Sequence, residues 1–178
     1  MKAAGPSPQR AAEFVAQPVR FSVRYSEENA MTSTHLSLQY HLIFSTKERR
    51  RWIKESWQER LHSYLGGILR GLGGVAEDVG GTDDHVHILA SLNATHCLAD
   101  VMREIKSNSS KWVHRIIGVG LFAWQDGYGA FTVSRSEVEA IKRYIRGQRE
   151  HHRKKTFQEE YLELLQQSSI EFDEKYLW

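Results

Sequence analysis

The chain has 178 residues, with a hydrophobic fraction of 40% and an aromatic fraction of 11%, which suits a soluble globular protein of one domain with its own core. Its single cysteine, Cys97, excludes an internal disulfide and reads, beside Leu98 and Val101, as a small core residue in a reducing compartment. There is no signal peptide and no apolar run long enough to span a bilayer, so a cytoplasmic protein is expected.

The net charge of +2 hides an asymmetry. Residues 31–155 hold nineteen Lys and Arg against thirteen Asp and Glu, whereas residues 156–178 hold one Lys against six acids. The middle of the chain is the basic part, as a phosphate-bearing partner requires and as an ordinary solvated face also allows.

Residues 1–30 contain all three prolines and no sustained period. They read as a poorly ordered leader, with Met31 as the natural start of the domain. The apolar and aromatic stretch 35–44 predicts a strand, followed by a basic loop, Lys47, Arg49, Arg50 and Arg51, placed to touch phosphate at a strand end. Trp57, Leu61, Tyr64, Leu65, Ile68, Leu69 and Leu72 recur at three- and four-residue spacings and predict an amphipathic helix over 54–70, stopped by glycines. Residues 75–79 predict a second strand.

After Gly80 and Gly81 comes Asp83-Asp84-His85-Val86-His87-Ile88-Leu89, a third strand antiparallel to the second and running to about Leu92. Side chains alternate along a strand, so His85 and His87 share one face while Val86 and Ile88 face a core. Two imidazoles so placed can reach one metal ion, and a hydrogen-bonded pair without metal is the alternative.

Asn93 or Thr95 is expected to cap the next helix, whose buried side runs from Leu98 to Ile117 and whose basic side carries Arg103, Lys106, Lys111 and Arg115. Ser107-Asn108-Ser109-Ser110 would bend it or meet a ligand. Residues 122–133 read as a fourth strand interrupted by a Gly-rich bulge. Ser134 or Ser136 then caps a last helix over 137–152.

The order is βαββαβ plus one helix, which predicts an α+β, ferredoxin-like antiparallel sheet with two helices on one face. The other face needs a cover, from the extra helix or from a partner subunit. That helix carries Tyr144 and Gln148 four residues apart, amid Lys142, Arg143, Arg146 and Arg149. Nearby cations favour a phenolate, and a glutamine carbonyl suits a hard divalent cation. For this helix taken alone, a half-buried tyrosine beside an exposed glutamine is the stronger reading.

Taken together, the motifs resemble the HUH single-tyrosine transposases, the small TnpA-type enzymes of insertion sequences and their REP-associated relatives. The resemblance covers about residues 34–155. It includes Tyr40-His41-Leu42-Ile43-Phe44-Ser45-Thr46-Lys47, Asp84-His85-Val86-His87, Lys106-Ser107, Trp124-Gln125-Asp126-Gly127-Tyr128 and Tyr144-Ile145-Arg146-Gly147-Gln148.

The resemblance implies a DNA transposase that cleaves and rejoins single-stranded DNA at hairpin-marked ends through a 5′-phosphotyrosine. Tyr144 would be the nucleophile, and His85, His87 and Gln148 the ligands of a divalent Mg²⁺ or Mn²⁺. Lys47, Arg49, Arg50, Arg51, Lys106, Lys111, Arg143 and Arg146 would contact DNA, and the enzyme would work as a homodimer. The implied domain is 31–155, followed by an acidic tail at 156–178 whose role is open. A domesticated REP-associated endonuclease and a non-catalytic module binding single-stranded nucleic acid are the alternatives. The module would need aromatics exposed on the central strands, and the His-x-His strand has none.

Overall fold

The computed structural model describes residues 35–173, 175 and 177. The chain divides after Thr34. The expected leader at 1–30 and the start at Met31 lie outside the described residues, and the fold is that of the unit from His35 onward.

Its elements are β1 (Gln39–Ser45), α1 (Glu55–Gly71), β2 (Val75–Gly81), β3 (His85–Ser91), α2 (Leu98–Trp112), β4 (Gly129–Thr132), α3 (Val138–Arg146), α4 (Gln148–His151) and α5 (Phe157–Gln167). The strands form one sheet in the order β2-β3-β1-β4, with every neighbouring pair antiparallel. This is the ferredoxin-like arrangement expected from the order of elements. β1 and β3 lie at its centre, with Ile43 opposite His87 and Ser45 opposite His85.

Alternation along the central strands sorts their side chains into two layers. Leu42 and Phe44 of β1 and Val86, Ile88 and Ala90 of β3 pack against Leu61, Leu65 and Leu69 of α1 and Val101, Met102 and Ile105 of α2. The opposite face is covered by two smaller groups. Leu89 and Val133 meet Val138 and Ile145 of α3, while Ile43 and Phe131 meet Phe157 and Leu165 of α5. The chain therefore supplies its own cover for this face, in part from the acidic segment. The start of α5 is fixed by a capping box, in which Thr156 and Glu159 satisfy each other's backbone N–H.

Several local expectations are corrected. Cys97 is exposed, because it sits at the mouth of α2 ahead of the first turn that faces the core. Neither Asn93 nor Thr95 caps α2, whose N-cap position is Cys97 without a side-chain bond. Asn93 instead donates to the Gly73 carbonyl at 2.9 Å, and His96 faces the Leu72 carbonyl at 2.7 Å, so this loop fastens the end of α1. The serines of α2 do not break it: Ser109 Oγ donates back to the Ile105 carbonyl at 2.6 Å and accepts from Trp124 Nε1 at 2.8 Å. α2 ends in a π-helical turn, Val113–Ile117, closed by Gly118.

The fourth strand is Gly129–Thr132, with a separate bridge from Trp124 to Thr46, and residues 125–128 between them lie outside any strand. The last helix stops at Arg146 and restarts at Gln148, where Gly147 N–H is shared between the Arg143 and Tyr144 carbonyls at 3.0 and 3.2 Å.

The β2–β3 turn places the histidine strand against α3, and its two glycines are required for different reasons. Gly81 has φ +146°, which disfavours other residues. At Gly80 a Cβ would lie 2.5 Å from the Ile145 carbonyl oxygen and 2.8 Å from its Cγ2. Gly80→Ala is therefore expected to push α3 from the sheet and to lower stability by about 1–3 kcal/mol. Denaturant unfolding measures this, and a variant as stable as the parent would show that α3 is not seated here.

Candidate metal centre and adjoining tyrosine

β3 begins directly after the turn, so the environment of His85 is set by the turn itself. Its Nδ1 lies 2.7 Å from Asp84 Oδ1. Asp84 is held in turn by Arg49 at 2.8 Å and by the Thr82 hydroxyl at 3.0 Å. Burial works against the Asp84 charge, but the hydrogen bonds and charges of His85 and Arg49 outweigh it and keep the carboxyl well below its ordinary range. A carboxylate only accepts, so His85 donates through Nδ1, which leaves Nε2 as the nitrogen that faces the centre. That Nε2 faces Gln148 Oε1 at 3.2 Å.

His87, fully buried, is aimed by a different partner. Its Nδ1 lies 2.9 Å from His41 Nε2, and the two rings stack at 5.1 Å. Burial lowers His41 to about 4. Burial and then the neighbouring imidazoles hold His87 well below its ordinary range. Both rings are neutral at pH 7, so a single proton joins them. With that proton on His87 Nδ1, Nε2 is a bare lone pair, and this Nε2 is buried without a hydrogen-bond partner.

The restart of the helix at Gln148 brings a third donor. Gln148 is buried, and its Nε2 donates to Glu160 Oε1 of α5 at 2.9 Å, which fixes the amide with Oε1 facing the histidines. His152 Nδ1 donates to the Lys155 carbonyl at 2.8 Å. Its Nε2 therefore presents a lone pair to Gln148 Oε1 at 2.9 Å and to Glu160 Oε2 at 3.0 Å. Burial, followed by the charge of His85, lowers His152 to about 4. Burial, with Glu163 and Asp84 nearby, pushes Glu160 up to about 8.

The ligand atoms of His85, His87, His152 and Glu160 all lie within 4.8 Å of one another. Outer hydrogen bonds turn the ligand atoms of these residues toward one shared point. A divalent cation resolves that arrangement, and the nitrogen and oxygen donors suit a borderline or hard ion.

Tyr144 lies beside this cluster on α3. Its ring is 5.9 Å from that of His87, 6.0 Å from His41 and 5.3 Å from His151, each edge-on or nearly so. It forms part of the wall of an open groove of about 820 Å³ that Lys154, Lys155, Glu150 and Glu163 also line. The structure thus brings Tyr144, His85, His87 and Gln148 together on one face of the sheet.

The basic residues are more dispersed. Arg49 is spent on Asp84, Arg50 on Glu48 at 2.7 Å, Arg51 lies 3.7 Å from Asp83, and Arg146 pairs with Asp78 at 2.6 Å. Lys106 Nζ donates to the carbonyls of Gln125, Asp126 and Gly127. Lys47, Lys111 and Arg143 are exposed. Lys106 and Lys111 belong to α2, on the side of the sheet away from the histidines.

Four residues of the centre were not singled out from the sequence: His41, Asp84, His152 and Glu160. His152 continues the four-residue spacing of Tyr144 and Gln148, a signal that was available. No spacing connects Glu160 to the histidines.

The family model described as "Transposase IS200 like" matches residues 34–148. No curated protein sequence matches the chain significantly. Among solved structures, a protein of Deinococcus radiodurans R1 provisionally described as a transposase aligns with TM-score 0.53 and 24% identity, over 67% of this chain and 97% of the other. A REP-associated tyrosine transposase bound to a REP hairpin aligns with TM-score 0.52 and 13% identity, over 70% of this chain and 74% of the other.

Removing the carboxylate behind His85 tests how that ring is aimed. Asp84→Ala is expected to weaken Mn²⁺ binding by about 10–100-fold with the fold intact. Calorimetric titration alongside circular dichroism measures both. Parental affinity in a folded variant would remove the aiming role.

Proposed function

As the chain belongs to the IS200-like transposase family, we propose that it cleaves and rejoins single-stranded DNA at hairpin-marked ends through a 5′-phosphotyrosine on Tyr144. The reading is carried by the placement of Tyr144 beside His85, His87 and Gln148 on one face of the sheet. His85, His87 and Gln148 would hold Mg²⁺ or Mn²⁺, which when bound polarises the scissile phosphate and orients it.

Tyr144 Oη attacks phosphorus. Its bond to phosphorus forms as the bond from phosphorus to the 3′-oxygen breaks. The tyrosine proton passes to solvent, and the departing oxygen becomes a 3′-hydroxyl. The enzyme-bound link is still a phosphodiester, so a second 3′-hydroxyl can attack it and release the tyrosine without an external energy source. The hairpin-bound relative of the same fold supports a hairpin as the form of the substrate, and the reading includes a homodimer.

Tyr144→Phe removes one oxygen and leaves the ring and its basic neighbours in place. Covalent adduct on a denaturing gel with labelled single-stranded hairpin DNA is expected to vanish, while binding stays near the parental level. An adduct formed by the variant would point to another nucleophile.

In-line attack needs a strand free to turn its phosphate toward Tyr144, which a flexible single strand permits and a stacked duplex resists. Matched single-stranded oligonucleotides should be cut and the same sequence as perfect duplex left intact. Affinity should fall with salt at a slope of roughly 0.7 per phosphate contacted. Equal cutting of both forms would remove the single-strand preference, and salt-independent binding would remove the phosphate contacts.

A further inference from the structure

We propose that Glu160 and His152 are metal ligands alongside His85, His87 and Gln148. The acidic C-terminal segment then supplies the only negatively charged ligand of the centre. This rests on the metal reading above and extends it to residues beyond the stretch matched by the family model, which ends at 148.

Charge is the first argument. His85, His87 and Gln148 are all neutral as ligands, so a dication held by them alone would keep its full charge in a buried site. A buried charge is costly without a partner of opposite sign. Glu160 is 2% exposed, and its oxygens lie 3.7 Å from His87 Nε2 and 3.0 Å from His152 Nε2. His87 Nε2 and Glu160 Oε2 are both buried without a hydrogen bond, although each is surrounded by polar atoms. Such pairs of orphaned atoms are explained by a shared cation.

The second argument is that this position is built into the fold. Phe157 of α5 packs on the His85 ring at 4.4 Å, and the Arg49 guanidinium lies over Phe157 at 5.0 Å. Tyr161 sits so close to β4 that a Cβ at Gly129 would approach its ring to 2.8 Å. Glu160 therefore stands between two aromatic side chains that anchor its helix to the sheet. His152 is held by the Lys155 carbonyl, which leaves its second nitrogen to the centre. Five protein donors leave a six-coordinate cation one position, enough for a single phosphate oxygen.

The test uses the full chain without DNA and Mn²⁺ alone as the probe, followed by electron paramagnetic resonance of free and bound ion. The parent should bind one Mn²⁺, and His87→Ala should bind none. Glu160→Gln, which keeps the shape and can still accept from Gln148, should lose at least about tenfold in affinity. His152→Ala should lose a comparable amount.

Glu160→Gln that binds like the parent while His87→Ala does not would overturn the inference and leave the metal reading standing. A parent that binds no Mn²⁺ would overturn the metal reading, and the inference with it. Spin-echo modulation on the unsubstituted protein settles His152 without any variant. Three coordinated imidazoles are expected, and two would remove His152.

Discussion

The structure depends on which nitrogen of each histidine carries the proton. His85 and His87 can face one centre with bare Nε2 atoms only if their Nδ1 protons are taken up elsewhere. Asp84 Oδ1 accepts from one at 2.7 Å, and His41 Nε2, 2.9 Å from His87 Nδ1, can accept from the other. Each acceptor is itself fixed by the sheet. Asp84 sits in the turn that β2 and β3 require, where its backbone carbonyl also accepts from Thr46 N–H at 2.7 Å. His41 lies on the neighbouring central strand, in register with Leu89. Aiming a lone pair this way leaves buried polar atoms without protein partners, which costs stability in a protein interior. Buried polar atoms held this way call for a partner that the protein itself does not supply.

Much of this was legible in the chain. The apolar and aromatic run of β1, the alternation around His85 and His87 and the three- and four-residue period of α1 are strong local signals, and the βαββαβ order followed from them. The shared face of His85 and His87 also followed, because alternation needs no tertiary information. What could not be read depends on contacts between distant segments. The break at Gly147 swings Gln148 inward, yet the surrounding residues are good helix formers and the local sequence favours one continuous helix. Cys97 beside Leu98 and Val101 looks buried in one dimension, but it stands at the N-cap position, ahead of the turn that faces the core. Glu160 belongs to a segment whose composition reads as a solvated tail. Only its packing on Ile43, Phe131 and His85 shows that one face of that tail is structural.

The charge pattern has a similar explanation. The excess of Lys and Arg in 31–155 suggested a surface prepared for phosphate. Many of those cations turn out to be internal fasteners. Arg146 ties α3 to Asp78 of β2 at 2.6 Å, and Arg149 ties α4 to Glu55 and Gln58 of α1 at 2.6 and 2.8 Å. Exposed pairs of this kind contribute little to stability individually. Their effect is geometric: they fix where Tyr144 and Gln148 sit relative to the histidine strand. Of the basic positions first read as DNA contacts, Lys47, Lys111 and Arg143 stay exposed, and Lys54, Arg70, Arg115, Arg135 and Lys154 are exposed with them.

The two faces of the sheet carry different duties, and the amounts of apolar surface reflect it. Beneath the histidines, α1 and α2 share one large core with both central strands, which holds His41, His85 and His87 as a rigid platform. Above them, α3 and α5 each rest on a few apolar side chains, and the space between these clusters is occupied by polar donors. Precise placement of reacting groups requires the platform to be the stiffer half. The covering half brings the tyrosine, the amide and the carboxylate, and it is held by sparse apolar contacts, a capping box and ion pairs. Elements held that way open at lower cost than the core does.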